Sequence, residues 1–442
     1  KGSVNGRILN QLERRGDLMT DRFLRLAVGA GIVLVALATG VVEADAQAPQ
    51  ATPRLLTIED YFKIREVGDP RVSPDGKWVA YTVTSQDLEK DESRTRIWMV
   101  PAAGGDPVPM TSDIRSASQP RWSPDGRYLA FLAAPEDGKD QVWTLFREGG
   151  EAVQLTDAAQ DVSDFVWSPD GKRVVLVLQD PTAEELAVKK GEKKLQTRPP
   201  WVITRRQFKQ DYIGYLDSRR THLYVLDIET KKMTQITSGD FDDSEPRWSP
   251  DGTHIAFTSN RTEDPDSNYN TDIWVVAADN MDKGQKLLQI TTNPGPDSSP
   301  AWSPDGARIA HVSATDTDAM LYATGHLAVS SATGGDFKVL TRELDRMVFA
   351  PIFSVDGRWI LFALEDSGEL SLARVAPGGG AVERVIGGPR SVAAFSEGAR
   401  GPIAALISEP HLPAEVFAFG DGTLRRLTHT NDAVLENVLL GS

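Results

Sequence analysis

A four-residue turn, Ser-Pro-Asp-Gly, recurs along this chain and constrains its fold more than any other feature of the sequence. In each copy proline presets φ at the first central position, aspartate tolerates the second, and glycine accepts the positive φ that ends the turn. Each copy therefore predicts a β-hairpin built on a type I turn with a glycine bulge. The copies, including one Ser-Val-Asp-Gly variant, begin at Ser73, Ser123, Ser168, Ser249, Ser303 and Ser354.

Each turn lies inside a longer pattern that repeats at about 50 residues. An apolar segment precedes the turn, a strand such as "RYLAFLA" follows it, a third strand such as "QVWTLF" comes next, and a fourth ends in threonine. Four antiparallel strands at this period are typical of one β-propeller blade. Because a single blade cannot bury both faces, we expect the residues before the turns to fill the space between blades. These residues are Val72, Trp122, Trp167, Trp248, Trp302 and Phe353.

The closing strands indicate the number of blades. Five units close in threonine, and a sixth, residues 345–386, closes with "VERVI". A seventh unit lacks the turn but keeps the strands "SVAAFS", "PIAALIS" and "EVFAF" and closes at Thr428. We therefore predict an all-β fold, a seven-bladed β-propeller of four-stranded antiparallel blades over residues 71–428. Since the two ends show no sign of sharing a strand, we expect packing alone to close the ring.

The third unit carries an insertion, residues 180–220, between its second and third strands. The first half is polar and charged, and the second half mixes aromatic with basic residues. Long loops on a rigid scaffold commonly carry function, so we regard several insertion residues as candidates for contact with a substrate or another domain. The alternative is that Trp201, Phe208 and Tyr215 cap the ring. The candidates are Arg205, Arg206, Phe208, Tyr212 and Tyr215.

The N-terminal region has the pattern of a secretory signal peptide over residues 19–46. Arg22 and Arg25 precede the apolar run from Leu26 to Val42, and Ala44-Asp45-Ala46 supplies small residues for cleavage. An uncleaved membrane anchor is the alternative, because the run is at the lower limit for spanning. We expect an exported protein, periplasmic or secreted, without stable membrane insertion after cleavage. Residues 1–18 are an upstream segment, and residues 47–70 a linker with a lead-in helix.

Composition excludes several kinds of chemistry. The chain has no cysteine, which rules out disulfides, thiolate metal sites and a cysteine nucleophile. Its net charge of −15 argues against nucleic-acid binding, which needs clustered lysine and arginine.

Motifs for catalysis or metal binding are equally sparse. No Gly-x-Ser-x-Gly elbow occurs, and the nearest sequence, "AFSEG" around Ser396, is interpreted as structural. The six histidines form no His-x-x-x-His pair for zinc. Acidic loops from Asp240 and Glu263 could bind Ca²⁺, but they lack EF-hand spacing and are expected to be solvated. We predict no catalytic residue, metal or cofactor in this chain.

Three segments resemble the propeller of prolyl-oligopeptidase-type serine peptidases, in the acylaminoacyl-peptidase and dipeptidyl-peptidase-like branch. They are "LLTIEDYFKIREVGDPRVSPDGKWVAYTV" from Leu55, "VITRRQFKQDYIGYLDSRRTHLYVLD" from Val202 and "LTHTNDAVLENVLLGS" from Leu427. The resemblance implies a following α/β-hydrolase domain with a Ser-Asp-His triad, to which the propeller admits peptides but not folded proteins. Residues 429–442 would then begin the linker to that domain, which is expected to be missing here. No catalytic residue can be carried over.

Two functions remain open from the sequence. The first is the substrate-gating propeller of an exported peptidase, inactive by itself; the second is a stand-alone, TolB-like periplasmic binding propeller. TolB-like chains place an α/β domain before a six-bladed ring, whereas here about 20 residues separate the predicted cleavage site from the first of seven units. We therefore favour the first. Without the hydrolase domain, Leu435, Val438 and Leu439 are expected to be exposed and to favour a homo-oligomer.

Overall fold

The computed structural model describes residues 53–112, 115–135, 138–192, 200–319, 322–335 and 337–440. The predicted upstream segment and signal peptide lie outside these residues. Within them, no helix combines the length and the hydropathy that a membrane span requires.

Seven blades of four antiparallel strands follow one another along the chain, and the strands of each blade lie side by side in sequence order. Blades one to five are separate four-stranded sheets, whereas blades six and seven form one eight-stranded sheet, joined by a single parallel bridge between Leu370 and Ser391. Before the first sheet come strand β1, Arg54–Leu55, and helix α1, Ile58–Tyr61. Blade one consists of β2 Glu66–Val72, β3 Trp78–Asp87, β4 Glu92–Pro101 and β5 Val108–Pro109. Blade two consists of β6 Ser118–Trp122, β7 Tyr128–Ala133, β8 Gln141–Phe146 and β9 Val153–Gln154. Blade three consists of β10 Val162–Trp167, β11 Arg173–Gln179, β14 Thr221–Asp227 and β15 Met233–Gln235.

The insertion of blade three contains helix α2, Ala183–Lys189, and the two-stranded hairpin β12, Lys209–Gln210, with β13, Gly214–Tyr215. Blade four consists of β16 Asp243–Trp248, β17 His254–Ser259, β18 Asp272–Ala277 and β19 Leu288–Gln289, and blade five of β20 Asp297–Trp302, β21 Arg308–Ser313, β22 His326–Ser331 and β23 Phe337–Val339. Blade six consists of β24 Val348–Phe353, β25 Ile360–Asp366, β26 Glu369–Val375 and β27 Glu383–Ile386. Blade seven consists of β28 Ser391–Glu397, β29 Ile403–Glu409, β30 Leu412–Gly420 and β31 Thr423–Arg426.

Three short elements complete the description. A 3-10 helix, Pro265–Ser267, lies in blade four, and helix α3, Asp432–Leu435, and strand β32, Val438–Leu439, follow the last blade. The predicted seven-bladed, all-β propeller is confirmed. Its first strand begins at Glu66, a few residues before the predicted start at residue 71.

The repeated turn is held by the same hydrogen bonds in every copy, as blade two illustrates. The Ser123 hydroxyl donates to Asp125 at 2.6 Å and accepts the N–H of Tyr128 at 2.9 Å. Gly126 closes the turn at φ 68°, in the left-handed region that glycine tolerates best. In blade four, the hydrogen bond from the Ser249 hydroxyl lowers the pKa of Asp251 to about 2. The turn is thus a local module that needs no contact from elsewhere.

The tryptophans before the turns join neighbouring blades, as the sequence predicts. Each indole N–H donates to a backbone carbonyl in the preceding blade, at 2.9 to 3.3 Å. A polar N–H in a packed interface needs such an acceptor, so this bond fixes how two blades meet. The donor and acceptor pairs are Trp122 with Arg71, Trp167 with Arg121, Trp248 with Val166, and Trp302 with Arg247.

The ring closes where blade seven meets blade one, without a shared strand in the described residues. Backbone N–H of Val72 donates to the Ser396 hydroxyl at 3.0 Å, so the serine of "AFSEG" serves this junction. Gly76, in the first turn, packs directly on the backbone of Arg400 and Gly401. Packing therefore closes the blades, as expected.

A second connection outside the blades was not predicted. Strand β1 pairs in parallel with β32, with Arg54 opposite Val438 and Leu55 opposite Leu439. Nearby, the Asn431 side chain accepts the N–H of Arg65 at 2.8 Å and donates to its carbonyl at 2.9 Å. These bonds tie the two ends of the described chain to each other beside the junction of blades one and seven.

Replacing Gly76 by alanine should weaken ring closure. An added Cβ would lie far inside van der Waals contact with the Arg400 carbonyl oxygen, whereas at Gly126 the nearest atom is 3.4 Å away, in Pro74. Both glycines have nearly the same φ, so backbone strain is matched. We expect Gly76→Ala to lower the free energy of unfolding by about 2 kcal/mol more than Gly126→Ala in urea titrations. Equal losses of unfolding free energy from the two substitutions would show that blades one and seven can move apart at this junction without extra cost.

Candidate functional site

A groove of about 1310 Å³ lies between blade two and the insertion of blade three. One wall is formed by blade-two loops around Lys139 and Asp161, and the other by α2 and the segment that begins at Pro200. The groove is therefore created by the insertion, which supplies a second wall that a bare blade lacks.

Helix α2 forms because its first turn satisfies its own backbone. The Thr182 hydroxyl accepts the N–H of Glu185 at 3.0 Å, and the Glu185 carboxylate accepts the N–H of Thr182 at 2.8 Å. This reciprocal capping box stabilises a short helix, as do Glu184 in its first turn and Lys189 in its last. The capping box thus fixes the wall of the groove at a definite place.

Ion pairs fasten this helix across the groove. Lys139 lies 3.0 Å from Asp161 and 3.4 Å from Glu185, and Arg219 lies 3.3 Å from Glu185. Burial alone would lower the pKa of Lys139, but the two carboxylates outweigh burial and raise it. Lys139 therefore stays charged at neutral pH and links blade two to the insertion.

The insertion also brings an aromatic surface to the groove. Trp201 lines it, is exposed, and packs on Tyr215 with ring centroids 5.5 Å apart. Val202 beside it is also exposed. A groove that joins an exposed indole to paired charges suits a ligand with both apolar and polar groups, such as an extended peptide.

Arg205, a sequence candidate, is a buried structural contact. Its guanidinium binds both oxygens of Asp266, at 3.0 and 2.6 Å, and the two side chains are 11% and 8% exposed. This fork holds the insertion to the 3-10 helix of blade four. Arg206 next to it differs, because it is 67% exposed and pairs with Asp264 at 3.1 Å.

The three aromatic candidates, Phe208, Tyr212 and Tyr215, lie on or beside the β12–β13 hairpin. All three are exposed, with Tyr212 at the hairpin tip at φ 64°. Trp201, Phe208 and Tyr215 therefore do not bury themselves as a cap on the ring. None of the five candidates lines the groove itself, but two touch its wall: Tyr215 packs on Trp201, and Arg205 donates to the Asp217 carbonyl at 3.5 Å.

The sequence reasoning missed Lys139, Asp161 and Glu185, which shape the groove. The Thr-x-x-Glu pattern at Thr182 is the one local signal that could have indicated helix α2. No sequence motif near the helix predicts its ion pairs with the loop of blade two, because those pairs depend on how two blades pack together.

The acidic loops from Asp240 and Glu263 pair with arginines of the insertion. Arg220 lies 2.6 Å from Asp240, 3.0 Å from Asp242 and 3.4 Å from Asp266. These carboxylates neutralise a nearly buried guanidinium, which would otherwise be costly. Over the described residues, no group of three or more possible ligands is placed to hold a metal ion.

Blade five brings a serine, a histidine and an aspartate close together, but only the serine and the histidine are hydrogen-bonded. His311 Nε2 lies 3.0 Å from the Ser330 hydroxyl, and His311 Nδ1 lies 3.5 Å from Asp297. All three side chains are buried, and Ser330 lies within a regular strand rather than on an exposed elbow. No substrate can reach this serine, so the three residues form a polar contact inside the blade.

Comparison with known proteins places the fold among peptidase propellers. The uncharacterized peptidase YuxL of Bacillus subtilis (strain 168) is 32% identical over 224 residues, which cover 50% of this chain and 34% of YuxL. No protein-family model matches the chain. The match thus covers about a third of the length of this curated relative.

Solved structures give the same picture. The acylaminoacyl peptidase of Pyrococcus horikoshii matches 86% of this chain and 55% of its own, with a TM-score of 0.66 and 19% identity. The propeller domain of the trilobed protease from Pyrococcus furiosus matches 84% of this chain and 97% of its own, with a TM-score of 0.58 and 18% identity. TolB of Acinetobacter baumannii has a TM-score of 0.41, which favours neither interpretation.

The fold defines a propeller of the class found in peptidases. The chain is similar to the N-terminal propeller part of the prolyl-oligopeptidase-type peptidases, in the acylaminoacyl-peptidase branch, and the predicted resemblance is confirmed at this level.

Replacing Arg205 by glutamine should loosen the insertion, because it leaves the buried Asp266 carboxylate with only the longer contacts to Arg220 and the Gln207 N–H, at 3.4 and 3.3 Å. We expect a loss of about 2 kcal/mol in unfolding free energy and faster limited proteolysis within residues 200–219. Arg206→Gln is the matched control, with a loss below about 0.5 kcal/mol, since its ion pair is exposed. Equal effects of the two substitutions would contradict the buried anchor.

This anchor also predicts a pH dependence. The hydrogen bond from Arg205 lowers the pKa of Asp266 below its ordinary value of 3.8. A carboxyl with a lowered folded-state pKa stabilises the fold above its unfolded-state pKa, and that stabilisation is lost as the pH falls through the folded-state value. The stability difference between the parent chain and Arg205→Gln should therefore shrink in acid below the ordinary aspartate pKa.

Proposed function

We propose that this chain is the substrate-gating propeller of an exported serine peptidase that hydrolyses peptides. The observation that carries the proposal is the extent of the matches: this chain aligns with the propeller part of longer peptidases and covers 55% of the P. horikoshii enzyme. In the proposed protein a following catalytic domain supplies the reacting residues, and the propeller limits which substrates reach them.

The groove beside the insertion supports a role in handling peptides. Its exposed Trp201 and its paired charges offer both apolar and polar contacts, as peptide sites require. The exposed hairpin with Phe208 and Tyr212 lies outside the groove and offers a surface for a second domain. Export is proposed from the signal-peptide pattern of residues 19–46.

An exposed apolar surface near the β1–β32 pair supports contact with a further domain. Leu55 and Leu439 are register partners, and both are exposed, with Leu439 at 55%. Ile58 and Tyr61 on α1 are exposed as well, whereas Leu435 and Val438 are partly buried. Apolar surface of this kind usually marks an interface.

The stand-alone binding propeller remains the second candidate. It is favoured by a specific observation, namely that the described residues contain a ligand-sized groove but no accessible catalytic serine.

The first test concerns catalysis. The purified 442-residue chain should not hydrolyse acyl-peptide or dipeptide chromogenic substrates, because its Ser-His-Asp contact is buried. A longer polypeptide that includes the residues encoded after Ser442 should hydrolyse them, prefer peptides over folded proteins, and be blocked by a serine-reactive phosphonate. Phosphonate-sensitive turnover by the chain itself, or a stop codon directly after Ser442, would overturn the proposal.

The second test concerns the exposed surface. We expect the chain to self-associate at micromolar concentration in analytical ultracentrifugation, and Leu439→Asp to shift it towards monomer by charging the apolar surface. Leu88→Asp is a matched control, because Leu88 is also exposed but lies on the β3–β4 turn of blade one. A chain that is monomeric throughout, or that responds equally to both substitutions, would argue against this interface.

A further inference from the structure

The groove beside the insertion carries an excess of negative charge. Five carboxylates line it, those of Asp157, Asp161, Glu184, Glu185 and Asp217. The three cations that line it are Lys139, Lys189 and Arg219, and each lies at ion-pair distance from at least one of these carboxylates. Two negative charges are therefore in excess, and an anionic ligand would find no unpaired cation among the described residues that line the groove.

The most accessible part of this negative charge lies on the blade-two wall. Asp157 and Asp161 lie in the loop that leads from β9 to blade three, and their side chains are 79% and 53% exposed. Asp161 is already bonded to Lys139 and to the N–H of Asp140, so it adds negative field rather than a free acceptor. Asp157 pairs with Lys189, and one ammonium leaves room for further donors, because a carboxylate has about four acceptor positions.

The insertion wall places an aromatic surface in the same groove. Trp201 is 57% exposed, and its indole lies against the Tyr215 ring at a centroid distance of 5.5 Å and an interplanar angle of 37°. This contact restrains the indole and leaves much of it open to solvent. A tryptophan face attracts a cation through its quadrupole, and it also packs on the apolar stem of a lysine or arginine side chain. The aromatic wall and the acidic wall therefore favour the same kind of ligand.

The size of the groove favours a chain over a compact ligand. Its volume of about 1310 Å³ exceeds the roughly 300 to 1,000 Å³ of pockets that enclose small molecules. Val188 and Val202 line it together with Trp201 and add apolar contacts. An extended peptide with one cationic and one apolar side chain would use the charge, the indole and the length of the groove together.

We propose that the groove selects peptides that carry a cationic side chain, arginine or lysine, with Asp157 as its main anionic contact and Trp201 against its stem. Asp161 and the other carboxylates add to the negative field. The inference deepens the proposed function and rests on it for the choice of a peptide, but binding needs no hydrolysis. Acidic peptides are excluded by the same field, because every cation of the groove is already paired.

The test uses the 442-residue chain and three octapeptides in calorimetric titrations at about 50 mM salt. The first is acetylated and amidated and contains one arginine between leucines; the second has citrulline instead, which keeps the shape and removes the charge. The arginine peptide should bind at least about tenfold more tightly than the citrulline peptide, as a charge-assisted contact implies. The third peptide has citrulline and a free N-terminal amine, and it should bind no better than the second. Binding as tight as that of the arginine peptide would overturn the assignment to a side chain.

Two substitutions should move the affinity for the arginine peptide in opposite directions. Asp157→Asn should lower it at least about fivefold, because the main carboxylate is lost, and Lys189→Gln should raise it, because a competing cation is lost. Neither should change the affinity for the citrulline peptide. Two matched controls should leave both affinities unchanged: Lys190→Gln, exposed beside Lys189 but outside the groove, and Asp345→Asn, 98% exposed before β24 and paired with Arg346 at 3.9 Å.

Trp201→Ala should weaken the arginine peptide at least about threefold and the citrulline peptide less, because only the former loses a cation from the indole face. Tyr269→Ala is the control, since Tyr269 is 59% exposed in a loop of blade four and does not line the groove. Circular dichroism and thermal melting establish that each variant is folded. The inference is overturned if arginine and citrulline peptides bind equally, if neither binds at millimolar concentration, or if Asp157→Asn and Asp345→Asn have the same effect.

The outcome is separable from that of the peptidase proposal. Arginine selection in a chain whose longer form shows no phosphonate-sensitive turnover would uphold the groove site and reject the peptidase. Turnover without arginine selection would do the reverse.

Discussion

The hydrogen bond from a tryptophan indole to the backbone of the preceding blade is the contact on which the rest of this structure depends. It fixes the angle between blades at Trp122, Trp167, Trp248 and Trp302, and the turn beside it is stable by itself. At the junction of blades seven and one, Val72 stands where the other blades have a tryptophan before the turn, and Gly76 approaches the backbone of Arg400 closely instead.

Function in this molecule lies where the repeat is broken or varied. The insertion of blade three departs from the repeat, and its buried Arg205–Asp266 pair converts a long loop into the fixed wall of a groove. The resulting groove combines the exposed Trp201 with paired charges.

Residue identity and hydrogen bonding are not sufficient to define a catalytic site. Ser330, His311 and Asp297 lie next to one another as triad residues do, but His311 and Asp297 form no hydrogen bond and all three are buried inside blade five. Ser396 was interpreted as structural because its sequence lacks the elbow glycine, and it accepts a backbone hydrogen bond at ring closure. In both cases, a serine hydroxyl that is used in contacts within the fold has a structural role rather than a catalytic one.

The sequence by itself determined the blades, their number, the turn geometry and the filling of the gaps between them, because these rest on local patterns that repeat. It also located the insertion, since both flanking strands are recognisable. Only the tertiary structure showed that Arg205 is an anchor while Arg206 is exposed, and that Lys139 joins α2 to blade two. Those distinctions depend on which carboxylates other blades bring near, and no spacing along the chain encodes them. The bridge of Asp69 between Arg71 and Arg121 has the same origin, because it joins residues of blades one and two that are far apart in sequence.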